Sequence, residues 1–221
     1  MAQYTKKLLG RLFIFLMVIL GAVANWFWPL YAWIDDTSVY RFIWLGIFFL
    51  FLDIAIEMIL QTLKQLRLVM EAVNYAKNIK KIADGFKVVP NFLLKNNLKA
   101  DYVVVGSSGV WLVTVQVGGG KITFSGDDLV QDGKVMGGLL TEALSKSYTL
   151  AGLLKEKLSR DFTVTSVVAF SSPLADLELM PNIVRGVYVA SGKNSIALIE
   201  NTDVQLIDKN TIEEINKILK K

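Results

Sequence analysis

The hydrophobic and polar positions divide the chain into two regions of different period. Leu12 to Ile34 is a run of 23 residues without a charge, and a second apolar run, Ile43 to Leu60, follows the eight residues Asp35 to Phe42. At about 1.5 Å per residue the first run crosses a ~30 Å hydrocarbon layer with some tilt. The pair predicts a transmembrane helical hairpin over residues 1–60, with Asp35 to Phe42 as its polar turn. Lys6, Lys7 and Arg11 precede the first run and Lys64 and Arg67 follow the second, which puts both ends on the cytoplasmic side of a plasma (inner) membrane. Trp26, Trp28, Tyr31, Trp33, Tyr40 and Trp44 gather around the turn as an outer aromatic belt. The start also resembles a cleavable signal peptide, with basic residues, an apolar centre and Ala22-Val23-Ala24. The apolar run continues ten residues past Ala24, so a retained span is expected.

Beyond Leu60 the period becomes amphipathic. Leu66, Val69, Val73, Ala76 and Ile79 form a stripe at helical spacing, and no stop signal occurs before Asp84-Gly85. A juxtamembrane helix is expected over 61–85, with Lys77, Lys80, Lys81 and Lys87 as a solvated face. The remainder, 86–221, reads as one α/β domain. Phe86 to Val89 predicts a first strand ending at Pro90, and Asp101 to Lys121 two buried strands joined through the Gly106 to Gly109 turn and stopped by Gly118, Gly119 and Gly120. Short strands follow at Lys121 to Phe124 and Leu129 to Val135, around the hairpin signal Asp132-Gly133. Leu139 to Leu158 predicts a helix whose core face is Leu140, Leu144, Tyr148, Ala151, Leu154 and Leu158. Phe162 to Phe170 and Val184 to Val189 return as strands. A closing helix is expected from Thr211, with Glu214 completing a capping box. This order suits an α/β three-layer sandwich with a mixed central sheet.

In the strand from Gly109 onward, alternation sets Leu112, Thr114 and Gln116 on one face and Trp111, Val113 and Val115 on the other. An Asp in the preceding strand, a Gly-led turn, a hydrophobic run and then Gly120-Lys121-Ile122 resemble the nuclease-related domain (NERD), a branch of the PD-(D/E)XK nuclease superfamily. The resemblance covers roughly residues 70–200. It implies a restriction-endonuclease-like α/β/α fold and a site built on Asp101, on Thr114 and Gln116 at the family's Glu and Lys positions, and on Glu71 in the leading helix. Glu142 and Gly120 are implied as supporting residues. The two substitutions remove a carboxylate and an amine from the family's metal-dependent machinery. The resemblance therefore implies a degenerate site, with magnesium or manganese held at Asp101 only if nuclease activity persists; otherwise no cofactor or metal is expected.

Composition narrows the chemistry further. With no cysteine and no histidine, thiol nucleophiles, disulfides, zinc-thiolate sites and imidazole-dependent triads are excluded. The net charge of +4 is unevenly placed: residues 64–99 carry eight Lys/Arg against two Asp/Glu, and residues 100–221 twelve against fourteen. The basic excess adjoins the apolar region, so the domain charge does not favour nucleic acid. Gly118-Gly119-Gly120-Lys121-Ile122 lacks the Ser/Thr of a phosphate loop. Gly106-Ser107-Ser108-Gly109 joins two strands and not the strand and helix of a nucleophile elbow. Both are expected to be turns.

Within the apolar region, Asp53 and Glu57 share one helix face at i, i+4 spacing. They would serve as a cation or proton site, or else snorkel and pair near the interface, and the second is expected; Asn25 is expected to act between helices. Three functions follow in order. The first is a membrane-anchored, catalytically inactive nuclease-fold module for interaction or scaffolding, with the lipid bilayer and a protein partner or homo-oligomer as its contacts. The second is a metal-dependent, membrane-tethered nuclease acting on DNA or RNA. The third is a transport or channel component using the intramembrane carboxylates.

The topology has a direct check, because an introduced cysteine is the chain's only thiol. Ser38→Cys should react with an impermeant thiol reagent in intact cells, while Lys193→Cys reacts only after lysis. The opposite pattern would invert the hairpin.

Overall fold

The computed structural model describes residues 38–95, 98–126, 128–177, 183–202 and 204–220, with 38–48 and 51 as backbone only. The chain divides into two compact units, Met1–Met70 and Glu71–Lys221. The expected first span and Asn25 lie outside the described residues. Among the described residues no helix is long and apolar enough to cross a membrane.

Helix α1, Ser38–Ile79, is continuous over 42 residues. Its described part already takes in Ser38 to Phe42 of the expected turn, where Val39 to Phe42 contain no Gly or Pro to interrupt a helix. It also ends before Asp84-Gly85. Lys81 N–H bonds the Asn78 carbonyl at 3.0 Å in a tightened last turn, and Ala83 N–H bonds the Glu200 carboxylate at 2.9 Å. The stripe predicted on this helix is covered only in part. Ile79 is buried, Val69 and Ala76 are half-buried, and Leu66 and Val73 are exposed.

The second unit is built on a six-stranded mixed sheet. Its strands are β1 Lys87–Leu93, β2 Lys99–Gly106, β3 Gly109–Gln116, β7 Val164–Phe170, β10 Val187–Ser191 and β9 Ile183–Val184, in that spatial order. β1, β2 and β3 form an antiparallel meander; β7 lies parallel to β3, and β10 parallel to β7. The meander follows from short turns between β-branched runs, and the parallel step from the helical crossover that precedes β7. A second sheet, ordered β6-β5-β4-β8, holds β4 Gly120–Ser125, β5 Asp128–Gln131, β6 Lys134–Val135 and β8 Ala175–Leu177.

Helices cover both faces of the larger sheet. On one side α2 (Leu139–Leu158) and α4 (Lys209–Leu219) bury Leu150, Leu154, Ile212 and Ile215 against Val103, Val105, Val110 and Leu112. On the other, the end of α1 and α3 (Gly192–Asn201) bury Tyr75, Ile79 and Ile199 against Val104, Trp111, Val113 and Val167. Full burial of each such side chain stabilises by about 1.5–3 kcal/mol. The alternation read along β3 is thus the division between two cores. Ser166 Oγ donates to the Ala143 carbonyl at 2.9 Å and ties α2 to β7.

Several expected elements change. β1 runs through Pro90 to Leu93; as an edge strand it tolerates a residue that cannot donate. The expected strand Val184 to Val189 is broken by a turn at Arg185 and Gly186, both at positive φ, and becomes the β9–β10 hairpin. Helix α2 keeps its predicted bounds and buries Leu140 and Leu154 of its predicted face, but Leu139, Ala143, Lys146, Ser147 and Leu150 are buried with them and Tyr148 is 73% exposed. Helix α3 and strand β8 carried no sequence signal. Helix α4 begins at Lys209 and is capped by Asp208, whose carboxylate accepts from Asn210 N–H and Thr211 N–H and from Thr211 Oγ1. The expected Thr211–Glu214 capping box is displaced by this stronger acceptor.

The Thr211 hydroxyl and amide, and then Asn210 N–H, hold the Asp208 carboxyl below the usual carboxylate range. A group depressed on folding contributes stability that is present above its unfolded pKa and lost as pH falls through the folded one. In thermal unfolding of the purified chain, Asp208→Asn should cap comparably near neutrality but remove that part of the acid-side loss of stability. An unchanged acid limb would show that Asp208 does not contribute to it.

Candidate functional site

The carboxyl ends of β3 and β7 are where the expected residues gather. In open α/β sheets this end is the usual place for a ligand crevice. Register aligns Thr114 with Val168 and Gln116 with Phe170, and β2 joins the same end through Tyr102 opposite Val113.

Asp101 lies one residue before Tyr102, and its Oδ2 accepts from Val115 N–H at 2.8 Å. Its carboxylate thereby completes the β2–β3 ladder with a side chain, which commits one oxygen to the backbone. Its charge acts on two nearby phenols. Burial, and then the Asp101 carboxylate, push the Tyr102 hydroxyl up. Tyr75 is also pushed up, chiefly by burial, against the lowering effect of its bond to Ser195. Tyr75 Oη and Ser195 Oγ stand 3.1 Å apart, and Ser195 Oγ donates to the Gly192 carbonyl at 2.8 Å. The Tyr75 and Tyr102 rings pack edge to face at 6.0 Å.

Thr114 is 5% exposed, and its Oγ1 is buried without a hydrogen-bond partner. A buried hydroxyl left this way costs on the order of 1–3 kcal/mol. Gln116 is half-buried, and its backbone carbonyl accepts from both the amide (2.9 Å) and the hydroxyl (3.2 Å) of Ser171. Glu71, 8% exposed, accepts from Ser172 Oγ at 3.1 Å, and Ser172 Oγ in turn accepts from Leu174 N–H at 3.2 Å. Glu71 therefore fastens the end of α1 to the loop between β7 and β8. It belongs to the face that carries Val113, whereas Thr114 lies on the face that carries Leu112. The structure thus brings Asp101, Thr114, Gln116 and Glu71 to one end of the sheet but not to one face.

Glu142 is on α2 with its side chain 55% exposed, and it pairs at 2.6 Å with Lys146, whose side chain is 7% exposed. Lys146 was missed at the sequence level; its only signal was the Glu-to-Lys i, i+4 spacing, which equally marks an exposed helix face. Gly120 has a backbone role. Its φ is +110°, and a Cβ there would stand 2.2 Å from Asp132 Oδ2. Asp132 Oδ1 accepts from Lys121 N–H at 2.9 Å, so the approach holds the start of β4. Elsewhere Asp53 is exposed and Glu57 Oε1 accepts from Gln61 Nε2 at 3.0 Å, an intrahelical contact one turn apart.

A hard dication needs several oxygen ligands, commonly two or more carboxylates. Among the described residues no group of three or more acidic side chains converges in that way. Asp101 is engaged by an amide, and Thr114 contributes no charge, so this donor set does not fit such an ion. The chain matches no protein-family model and no curated protein.

Two substitutions probe this arrangement by thermal unfolding. Thr114→Val keeps the shape and removes the unbonded hydroxyl, so stability should rise by up to about 1 kcal/mol; a clear loss would mean that the hydroxyl is bonded in solution. Gly120→Ala should destabilise by about 1–3 kcal/mol through the strained φ and the Asp132 clash.

Proposed function

We propose that the chain is a membrane-anchored protein whose second unit is a NERD-like domain of restriction-endonuclease type that no longer cuts nucleic acid and acts as an interaction or scaffold module. The observation that carries this reading is the state of β3. At the position where the family resemblance requires a metal-binding Glu stands Thr114, buried, uncharged and without a hydrogen-bond partner. The nearest implied carboxylate, Asp101, is used to bond a strand amide. The fold supports the resemblance at a coarse level: a leading helix, an antiparallel meander, a crossover helix and a parallel strand occur in that order.

Anchoring is supported by the apolar surface of α1. Phe49, Leu50, Leu52, Ile54, Ile56, Ile59 and Leu60 are all exposed, at 41–61%. Successive helical residues turn by about 100°, so these positions spread over roughly 220° of the helix instead of forming one narrow stripe, as a lipid-facing segment would. The cations on either side of the apolar region favour cytoplasmic ends. The contact between Glu57 and Gln61 supports a structural role for the carboxylates over a conducting one.

The purified full-length chain should show no magnesium- or manganese-dependent cleavage of single- or double-stranded DNA or RNA, and Asp101→Ala should change nothing in that assay. Cleavage lost on Asp101→Ala would overturn the inactive-domain reading. Thr114→Glu combined with Gln116→Lys tests ancestry separately, since restored activity is expected only if the scaffold still aligns those positions.

A further inference from the structure

Lys146 carries its charge into the second unit, with a side chain only 7% exposed. Its ion-pair partner Glu142 lies 2.6 Å away and is 55% exposed, so the carboxylate meets the amine from the solvent side. Taking an ammonium out of water is costly unless its three donors are met, and a carboxylate lying half in water holds it only loosely.

The packing of α2 defines what lies beneath this amine. The helix runs antiparallel to β3 and β7: Leu139 and Leu140 at its start cluster with Phe170, and Leu154 near its end clusters with Val110. Ser166 Oγ bonds the Ala143 carbonyl, and Ser166 is level with Leu112 of β3. Helical side chains lean towards the helix start, and the Lys146 amine reaches back one turn to Glu142, past Ala143. That carries it beyond the level of Leu112 towards Thr114, the next residue of β3 on the same face. Leu153, two turns on from Lys146 along one line of the helix, packs against the Val110 and Leu112 cluster, whereas Leu144 packs against that of Val168 and Val189. Lys146 therefore leans over β3 and not over β10. Thr114 Oγ1 is buried there without a hydrogen-bond partner, and the half-buried Gln116 follows on the same face.

We propose that Lys146, Thr114 and Gln116 form a binding site for the phosphate group of a small molecule, in which Glu142 occupies the anion's place while the site is free. The Glu142 contact shows that the amine receives an oxyanion from the solvent side. A phosphate monoester carries about −1.5 to −2 charges and three acceptor oxygens, so it outcompetes a single carboxylate and reaches the Thr114 hydroxyl as well. Burial of the amine selects a terminal phosphate over one flanked by sugars in a polymer backbone. The site rests on neither the anchored nor the inactive reading, since neither enters its geometry.

Calorimetric titration of the purified full-length chain with inorganic phosphate, and with glycerol phosphate, should show one site per chain, while chloride at the same ionic strength gives no binding. Glu142→Gln removes the competitor and should tighten binding about fivefold. Thr114→Val should weaken it roughly tenfold, and Lys146→Met, which keeps an unbranched apolar stem, should abolish it. In thermal unfolding, Glu142→Gln should lower the midpoint by leaving the amine unpaired, and phosphate should restore it. Thr114→Val retains the shape of the strand residue and tests the site independently of that variant's stability. No phosphate binding to the parent chain, binding that survives Lys146→Met, or an affinity unchanged by Thr114→Val would overturn the proposal. Tighter, Lys146-dependent binding of an oligonucleotide without terminal phosphates would overturn the small-molecule class and make the site a nucleic-acid contact.

Discussion

Strand β3 is hydrogen-bonded along both edges, antiparallel to β2 and parallel to β7, and it is covered by helices on both faces. That position removes water from nearly every side chain it carries, Trp111 among them. Trp111 Nε1 donates to Ser108 Oγ at 3.2 Å, and Ser108 Oγ donates to the Ile199 carbonyl at 2.8 Å. The turn before β3 therefore also fixes the end of α3. The carbonyls of Ser107 and Ser108 accept from Ile207 and Val204, which draws in the segment leading to α4. One strand and its turn thus organise helices from both layers.

A polar residue in such a strand has to be functional, bonded or costly. Thr114 is buried and unbonded, and its β-branched shape suits the sheet whether or not a catalytic residue once stood there. The carboxylates that the resemblance implies each have a partner in the fold: Asp101 the Val115 amide, Glu71 the Ser172 hydroxyl, and Glu142 the Lys146 amine. A carboxylate already bonded to an amide, a hydroxyl or an amine has fewer lone pairs left for a cation. That is the physical content of the inactive-module reading proposed above.

Helix α1 shows how one element serves different surroundings through its side chains alone. Its exposed apolar residues spread over roughly 220° of the axis between Phe49 and Leu60 and recur at Leu63, Leu66, Met70 and Val73, while Glu71, Tyr75 and Ile79 are buried. Intrinsic propensity supports a helix through all of it, since no Gly or Pro occurs between Phe49 and Ile79.

The α/β class, the meander, the bounds of α2, the Gly106 to Gly109 turn and the two-faced character of β3 were legible in the chain, because period, β-branching and glycine placement act over a few residues. The gathering of Asp101, Thr114 and Gln116 at one sheet end was legible for the same reason, through alternation and a short turn. Other features depended on partners distant in sequence. Tyr148 was expected inside and is exposed, because the faces β7 and β3 offer to α2 decide its rotation. Arg185-Gly186 turned a strand into a hairpin once β10 had β7 to pair with. Asp208 took the cap from Thr211, since a carboxylate that reaches two amides outcompetes a hydroxyl. That Glu71 and Thr114 approach the sheet from opposite faces, and that Asp101 bonds an amide, followed only from the packing of helices on both sides. Local chemistry determines which residues form elements; the third dimension decides which of them meet.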